Sequence, residues 1–325
     1  MSEKKTILVT GGAGYIGSVV AELLEQKGHQ VIVIDDLSEG KAGAVSAKSV
    51  FYKSNFGDAG TLETIFNTHK IDFVFHFAAS ANVPDSVINP LKYYDNNVVN
   101  TVSMLKIMLK FGVKNIIFSS TAAVFGEPVY TPIDEEHQLK PVNPYGTSKL
   151  MVENILSDFS KAYGLNFIAF RYFCAAGSTK DHGESRDYET HLIPVILDQV
   201  LKKRESVTVF GNDFNTHDGT GVRDFIHVED IANAHILAME NFGRVNNKFI
   251  NLGNGKGFSV LEVIHAAEKL LGIKVSYKIG DKRPGDPAIL IASYENAFKQ
   301  LGWKPSKTLE DIIESAYNWR ENPKY

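Results

Sequence analysis

Ile7-Leu8-Val9-Thr10-Gly11-Gly12-Ala13-Gly14-Tyr15-Ile16-Gly17 decides the fold of this chain. A short apolar run ends in glycines, a helix-compatible stretch follows over residues 15–27, and a second apolar run over 31–34 ends at Asp35-Asp36. The order is strand, turn, helix, strand. Each glycine has its own task in such a turn. Gly11 permits the tight bend, Gly14 lets the backbone approach a pyrophosphate, and Gly17 allows helix and strand to pack closely. Phosphate oxygens then meet the unsatisfied N–H groups of the helix N-terminus. Asp35 closes the second strand about 20 residues on, where a carboxylate accepts a hydrogen bond from a ribose and repels a 2′-phosphate, which favours NAD over NADP.

Outward from this stretch the alternation continues. Residues 50–53 read as a third strand, 62–66 as part of a helix, 72–77 as a fourth strand, 90–111 as one long helix and 115–119 as another buried strand. A helix carrying Tyr145 follows, then a sixth strand over 166–173. Such alternation predicts a parallel sheet covered on both faces. After Phe173 the pattern changes: residues 175–190 are polar and lack periodicity, which predicts a long loop that is functional or mobile. Beyond it come a helix over 192–203, strands at 207–210 and 224–227, a helix over 229–239 and a strand at 248–252. A capping box, Ser259 with Glu262, opens a helix to Leu271, and helices over 294–301 and 309–320 close the chain. The expected architecture is α/β. A Rossmann-type doubly wound parallel sheet forms an NAD-binding domain over 1–176, also taking in a segment near 223–252, and a smaller mixed α/β C-terminal substrate lobe covers 177–325.

The totals bound the rest. A chain of 325 residues, 44% hydrophobic, can bury one large core or two. With 34 basic and 38 acidic residues the net charge is −4, so no general basic surface invites nucleic acid or an anionic membrane. The single cysteine, Cys174, excludes an internal disulfide framework and fits a reducing compartment. No apolar run approaches a membrane span, and Met1-Ser2-Glu3-Lys4-Lys5 leads straight into the first strand without a signal peptide's apolar core, so the expected location is the cytoplasm.

Tyr145 and Lys149 stand four residues apart in Asn143-Pro144-Tyr145-Gly146-Thr147-Ser148-Lys149, on a segment that continues through Leu150, Met151, Ile155 and Phe159. That spacing sets them one turn apart on a helix face. A free tyrosine titrates near about 10, and an ammonium at about 4 Å stabilises the phenolate by roughly 4 kcal/mol at an effective dielectric of about 20. Thr121, just beyond a strand end in Phe118-Ser119-Ser120-Thr121, lies where open parallel sheets hold ligands and could bond a reacting alcohol. Alone, each segment reads as a surface helix or as hydroxyls making local turns. Together with the glycine turn they form a polar triad suited to proton and hydride transfer. Asp181, His182, Asp187 and His191 lack any recognised ligand spacing and read as solvated charges, so no metal is expected.

These features resemble the extended short-chain dehydrogenase/reductase superfamily, and within it the UDP-glucose 4-epimerase family. The resemblance is carried by the glycine turn, His76-Phe77-Ala78-Ala79, Tyr93-Tyr94-Asp95-Asn96-Asn97-Val98, the Ser119 to Thr121 segment, Pro144-Tyr145-Gly146, Arg171-Tyr172-Phe173 and Gly219-Thr220-Gly221-Val222-Arg223-Asp224-Phe225-Ile226-His227-Val228. It implies NAD and a UDP-hexose between two lobes, with UDP-glucose and UDP-galactose interconverted through a 4-keto sugar. Tyr145 would be general base and acid, Thr121 would hold the sugar 4-hydroxyl, and Lys149 would bind the nicotinamide ribose and depress the tyrosine. The implied cofactor contacts are Gly11, Gly14, Tyr15, Ile16, Gly17, Asp35, Asp36, Asn55, Phe56, Phe77, Ala78, Ala79, Asn96, Ser119, Tyr145, Lys149 and Tyr172. The implied substrate contacts are Thr121, Tyr145, Phe173, Cys174, His191, Leu192, Val209, Phe210, Arg223, Arg283, Asp286 and Leu290.

The chain departs from that family in three places. Cys174 stands where an asparagine usually contacts the substrate diphosphate, Ala81 where many relatives have a lysine, and Asn55 where an aspartate usually contacts adenine. Leu290 falls at the wall facing the sugar 2-substituent and implies some tolerance for UDP-N-acetylhexosamines. The helices over 98–108 and 150–159 correspond to those that pair relatives into homodimers. A sugar-nucleotide 4,6-dehydratase needs an acid and base after the strand-end threonine, where this chain has Ala122-Ala123. An epimerase of UDP-pentoses or UDP-uronates is the nearer alternative. A non-catalytic NAD-sensing protein is another, but it would have no need of Tyr145, Lys149 and Thr121 together.

Overall fold

The computed structural model describes residues 3–187, 189–283 and 285–325; Met1, Ser2, Tyr188 and Pro284 lie outside the described residues. Its strands are β1 (Thr6–Thr10), β2 (Gln30–Asp35), β3 (Val50–Lys53), β4 (Phe73–His76), β5 (Asn115–Thr121), β6 (Asn166–Tyr172), β7 (Cys174–Ala176), β8 (Val207–Phe210), β9 (Val222–His227), β10 (Lys248–Leu252), β11 (Gly257–Ser259), β12 (Tyr277–Gly280) and β13 (Ile289–Leu290). Its helices are α1 (Tyr15–Gln26), α2 (Ala59–Thr68), α3 (Val83–Ile88), α4 (Pro90–Tyr94), α5 (Asn100–Lys110), α6 (Pro144–Tyr163), α7 (Leu192–Val200), α8 (Val228–Glu240), α9 (Val260–Leu271), α10 (Glu295–Leu301) and α11 (Leu309–Glu321).

Seven strands form one sheet in the order β10-β6-β5-β4-β1-β2-β3, every neighbouring pair parallel. Alternate residues point to opposite faces, and both faces are apolar. Ile7, Val9, Val33, Ile117 and Phe170 pack on Val20 and Leu24 of α1 and Ile231 of α8. Leu8, Ile34, Val74, Ile116 and Phe118 pack on Leu62 of α2, Met104 of α5 and Val152 and Leu156 of α6. Burying such side chains contributes about 1.5–3 kcal/mol each, so the two-sided core fixes the sheet. The doubly wound sheet expected from the apolar runs is therefore present. Its strand order reverses at β1, which lies between β2 and β4.

The second half of the chain builds a smaller mixed sheet on β9, with β7 and β13 parallel to it and β11 antiparallel, and a separate parallel pair, β8 with β12. Ile193 and Leu197 of α7, Val263 of α9 and Ile312 of α11 share its core. The capping box at Ser259 and Glu262 is formed as expected.

Three features depart from the sequence reading. First, the single long helix expected over 90–111 is interrupted: α4 and α5 are joined by a π-helical segment, Asp95–Val99. Second, α3, β7, β11, β12 and β13 are short elements whose few residues carry no periodic signal. Third, the polar stretch after β7 is irregular but not free, with Ser178, Thr179, His182, Glu184 and Glu189 all buried. The expectation that His182 is solvated is thereby corrected. The stretch is tied down by named bonds: Thr179 Oγ1 donates to Glu22 of α1 at 2.7 Å, Tyr15 Oη donates to the Gly177 carbonyl at 2.6 Å, and Trp319 Nε1 donates to the Glu184 carbonyl at 3.0 Å. Polar residues are tolerated inside when their hydrogen bonds are made, which periodicity does not report.

Candidate active site

The glycine turn closes tightly. Gly11 has φ +72°, and a Cβ there would meet the Ala78 backbone nitrogen at 2.6 Å; a Cβ on Gly17 would lie 2.2 Å from the Gly11 carbonyl oxygen. α1 begins without a side-chain cap and without an acidic residue in its first turn, so its leading N–H groups remain open to an anion. The space a side chain would fill and the uncapped helix end together fit a dinucleotide's phosphates.

Asp35 ends β2 and secures this turn. Its carboxylate accepts from Ala13 N at 3.0 Å and Leu37 N at 2.8 Å, while burial pushes its pKa up. Burial acts on Asp36 in the same sense, but hydrogen bonds from Ser38 and Asn55 win and hold it below the usual carboxylate range. Asn55 Nδ2 donates to Asp36 at 3.1 Å, which fixes the amide beside Asp35. Phe56 lies in the core against the His76 ring at 4.9 Å. Phe77, Ala78 and Ala79 follow β4, and Asn96 in the π-helical segment donates to Ser80 at 3.2 Å. Its neighbour Asn97 accepts from Ser80 N at 2.8 Å and donates to Ser148 of α6 at 3.0 Å, so this segment braces the helix that carries Tyr145.

Asn143 caps α6, its side chain accepting from Gly146 N at 2.8 Å, and Pro144 occupies the first helical position. Tyr145 is thereby held in the first turn, over the end of β5. Thr121 Oγ1 accepts from Ala123 N at 3.1 Å, and Gly146 packs on the Ala123 carbonyl, which brings the end of β5 up to the first turn of α6. Burial raises the Tyr145 phenol, opposed by Thr121 and then by the positive charge of Arg186, with the net shift upward.

Lys149 is buried and donates to the Ser119 carbonyl at 2.8 Å, its ammonium 4.8 Å over the Phe118 ring. Burial lowers it to about 7, against the attraction of Glu153. In the ligand-free site burial governs both groups, in opposite directions, and a positive charge acting on Tyr145 is that of Arg186. Spacing puts both residues on one face, but it does not say that Lys149 reaches inward under the strand.

On the other side, Arg223 of β9 donates to the Val222 carbonyl at 2.9 Å and lies 3.8 Å from Asp286. Arg283 stacks 3.9 Å over the Phe210 ring. The Val209 side chain is buried in the second core instead. Leu290 pairs with Arg223 in register and packs with Phe173 on Ala122, Phe125 and Ile133. Cys174 pairs with Phe225, and burial pushes its thiol up to about 11, so it is an inert thiol at neutral pH. His191 caps α7 ahead of Leu192, its Nδ1 2.7 Å from Glu189 Oε1.

Several residues that the sequence reading passed over meet here. Arg186 lies 3.7 Å from Glu39, 3.8 Å from Glu184 and 3.3 Å from His191 Nε2, while Lys41 donates to Asp187 at 2.6 Å. Ligand atoms of Glu184, Glu189 and His191 come within 4.8 Å of one another, and the Arg186 guanidinium among them already supplies positive charge. Under the triad, Glu153 takes two hydrogen bonds from Arg171, at 3.0 and 2.7 Å, and one from the Ser120 hydroxyl at 2.6 Å. Glu153 stands four residues after Lys149, a signal present in the sequence; nothing comparable marks Arg186.

A parallel sheet with an open glycine turn at its switch point, and a half-buried tyrosine beside a buried threonine at its carboxyl edge, defines a dinucleotide-dependent protein of the short-chain dehydrogenase type. Residues 7–253 match the family model described as NAD dependent epimerase/dehydratase family, and the chain belongs to that family. It is 49% identical over 322 residues to the UDP-glucose 4-epimerase of Halalkalibacterium halodurans, covering 98% of this chain and 96% of that one. Identity to the Lacticaseibacillus casei UDP-glucose 4-epimerase is 45% over 321 residues, covering 98% and 97%. Among solved structures, UDP-glucose 4-epimerase from Brucella ovis in complex with NAD superposes with a TM-score of 0.93 at 39% identity, covering 96% and 97% of the two chains. The Bifidobacterium longum enzyme in complex with NAD+ and UDP gives 0.93 at 38%, covering 98% and 99%.

The buried Lys149 makes a stability prediction with a defined sign. A lysine lowered in the folded chain costs stability fully below pH about 7, where folded and unfolded chains both carry the charge. The cost fades as pH rises towards the unfolded pKa of about 10.4. Lys149→Met is expected to stabilise the ligand-free protein at pH 6, by roughly 1–3 kcal/mol after the lost Ser119 hydrogen bond is set against it, and by much less at pH 10. Denaturant midpoints at the two pH values check this.

Proposed function

We propose that this protein interconverts UDP-glucose and UDP-galactose by NAD-dependent 4-epimerisation, an isomerase reaction passing through a 4-keto sugar. The observation that carries the reading is Tyr145, in the first turn of α6, set beside Thr121 at the carboxyl edge of a sheet whose first turn is built for a dinucleotide. The NAD site would be formed by Gly11, Gly14, Gly17, Asp35, Asp36, Asn55, Ser119, Lys149 and Tyr172, and the cofactor would supply hydride acceptance and return at the sugar C4.

This chain's own groups handle the proton. Thr121 orients the sugar 4-hydroxyl, and Tyr145 takes its proton and later gives it back. A phenol raised by burial is not ionised when the site is empty, and a positive charge brought close by ligand would lower it into the working range. Arg223, Arg283 and Asp286 suit the nucleotide side, since a guanidinium fork bonds diphosphate oxygens in pairs. Ala122 and Ala123 follow Thr121 and offer no proton, which supports redox at one carbon over dehydration.

Among the described residues, no helix is long and apolar enough to cross a membrane. We read the protein as cytoplasmic and homodimeric. Val87, Ile88, Leu91, Val99 and Met151 are exposed on or beside the helices that would pair two copies, and apolar side chains gathered on helix faces favour burial between subunits.

Purified protein is expected to convert UDP-galactose to UDP-glucose without added NAD, followed by NMR, and Tyr145→Phe to lower kcat about 10²–10⁴-fold. An unchanged rate in Tyr145→Phe overturns the mechanism. In the same assay Leu290→Tyr is expected to depress turnover of UDP-N-acetylgalactosamine more than that of UDP-galactose; equal loss on both would remove Leu290 from the sugar pocket. Light scattering is expected to give a dimer mass for the wild type and a smaller mass for Leu91→Lys, whereas a monomeric wild type refutes the pairing.

A further inference from the structure

Tyr145 is not the only phenol in the cleft. Tyr172, at the end of β6, is buried and pairs in register with Thr121 at the end of β5; burial pushes its phenol up, and the charge of Tyr145 adds to that. Two phenols at the ends of neighbouring elements pose a problem for a proton relay, since either could ionise or exchange a proton with the sugar. The resolution lies beneath the sheet, in α8. His235 is fully buried, its imidazole among the rings of Phe75, Phe77, Phe170 and Tyr172, with centroids 5.9, 4.9, 4.8 and 5.7 Å away.

Its hydrogen bonds fix its tautomer. His235 Nδ1 lies 2.9 Å from the Ile231 carbonyl, which can only accept, so Nδ1 carries the proton. The ring stays neutral, because burial lowers it to about 4. Nε2 is therefore a bare acceptor, and Tyr172 Oη, 2.7 Å away, donates to it. Full proton transfer would leave an ion pair in an aromatic enclosure, which desolvation opposes. Tyr172 thus engages its only hydroxyl hydrogen with His235 and has no donor left for the cleft.

We propose that His235 is a positioning residue of the reaction: by accepting a hydrogen bond from Tyr172 it keeps that phenol neutral and its donor engaged, so that Tyr145 alone exchanges a proton with the sugar. This rests on the reading of Tyr145 as the proton carrier. The groups that face the two phenols are few. Tyr172 is bonded to His235, with Ser119 and the charge of Tyr145 acting on it; Tyr145 lies 6.5 Å from the Tyr93 ring, with Thr121 and the charge of Arg186 acting on it and Lys149 one turn along its own helix.

Without His235 the Tyr172 hydroxyl can turn towards the cleft, where it would stabilise a phenolate on Tyr145 and weaken it as a base. The test compares His235→Phe, His235→Gln and Tyr172→Phe, with the double variant His235→Phe/Tyr172→Phe, by titrating the phenolate absorbance of the NAD-loaded protein alongside kcat and KM for UDP-galactose. In His235→Phe the lowest phenolate midpoint should move to lower pH by roughly half a unit to one unit, the worth of one neutral hydrogen bond, and kcat should fall roughly fivefold with KM little changed. His235→Gln, whose amide oxygen can accept the Tyr172 hydrogen bond, should titrate like the wild type, and His235→Phe should add nothing in the Tyr172→Phe background. His235→Leu substitutes if the phenylalanine variant does not fold. An unmoved midpoint, a His235→Gln that behaves as His235→Phe, or the same shift without the Tyr172 hydroxyl each overturns the role of His235. A wild type with no epimerisation refutes the reading of Tyr145 instead.

Discussion

A sheet that is apolar on both faces leaves one wet place for chemistry, the edge where its strands end. Val33, Ile117 and Phe170 face one helical layer and Ile34, Ile116 and Phe118 the other, so polar side chains with work to do are confined to the carboxyl ends of the strands or the turns beyond them. The glycine turn lies after β1, Asp35 ends β2, Thr121 ends β5 and Tyr172 ends β6. The site is thus a consequence of how the sheet is buried, with α6 and the π-helical segment bracing the one side chain that must approach from outside the strands.

Desolvation also sets the charge state of this edge. It raises Tyr145 and Tyr172, lowers Lys149 and His235, and so disfavours ionisation on groups of both signs. What prevents collapse into unsatisfied polarity is a set of local partners: the Ser119 carbonyl for Lys149 and His235 for Tyr172. Below them the buried Arg171–Glu153 pair holds Ser120 and locks α6 against β5 and β6. A cleft of this kind is electrically quiet when empty and responds strongly to the charge that a ligand brings, because little solvent is present to screen it.

The sheet was legible because its signals are local: an apolar run, glycines, a periodic helix, repeated. The triad was legible for the same reason, as Tyr145 and Lys149 are neighbours on one helix and Thr121 ends a strand. The partners that set their protonation were not. His235 reads as one more polar residue on an amphipathic helix until the fold places it under Tyr172. Arg186 sits in a stretch without periodicity that is nonetheless held by bonds to α1 and the C-terminal helix. Elements of two or three residues, such as β7 and β13, exist because β9 offers them an edge, which is a tertiary fact. The break in the long helix was hidden because a π-helical turn changes the phase of a pattern, not its composition.

That change of phase ties chain length to the site. An α-helix turns about 100° per residue, and a π-helical turn accommodates one residue more than the regular path would. Upstream, Tyr93 keeps its ring against Tyr145; within the segment, Asn97 bonds Ser80 and Ser148; downstream, Thr101, Met104, Leu105 and Met108 enter the core. Losing one residue between Asp95 and Val99 would restore a uniform helix and swing one of these sets by about 100° away from its partners. Side chains in this segment can therefore drift individually during evolution, whereas its residue count is pinned, making it a natural fixed point for aligning distant versions of this fold.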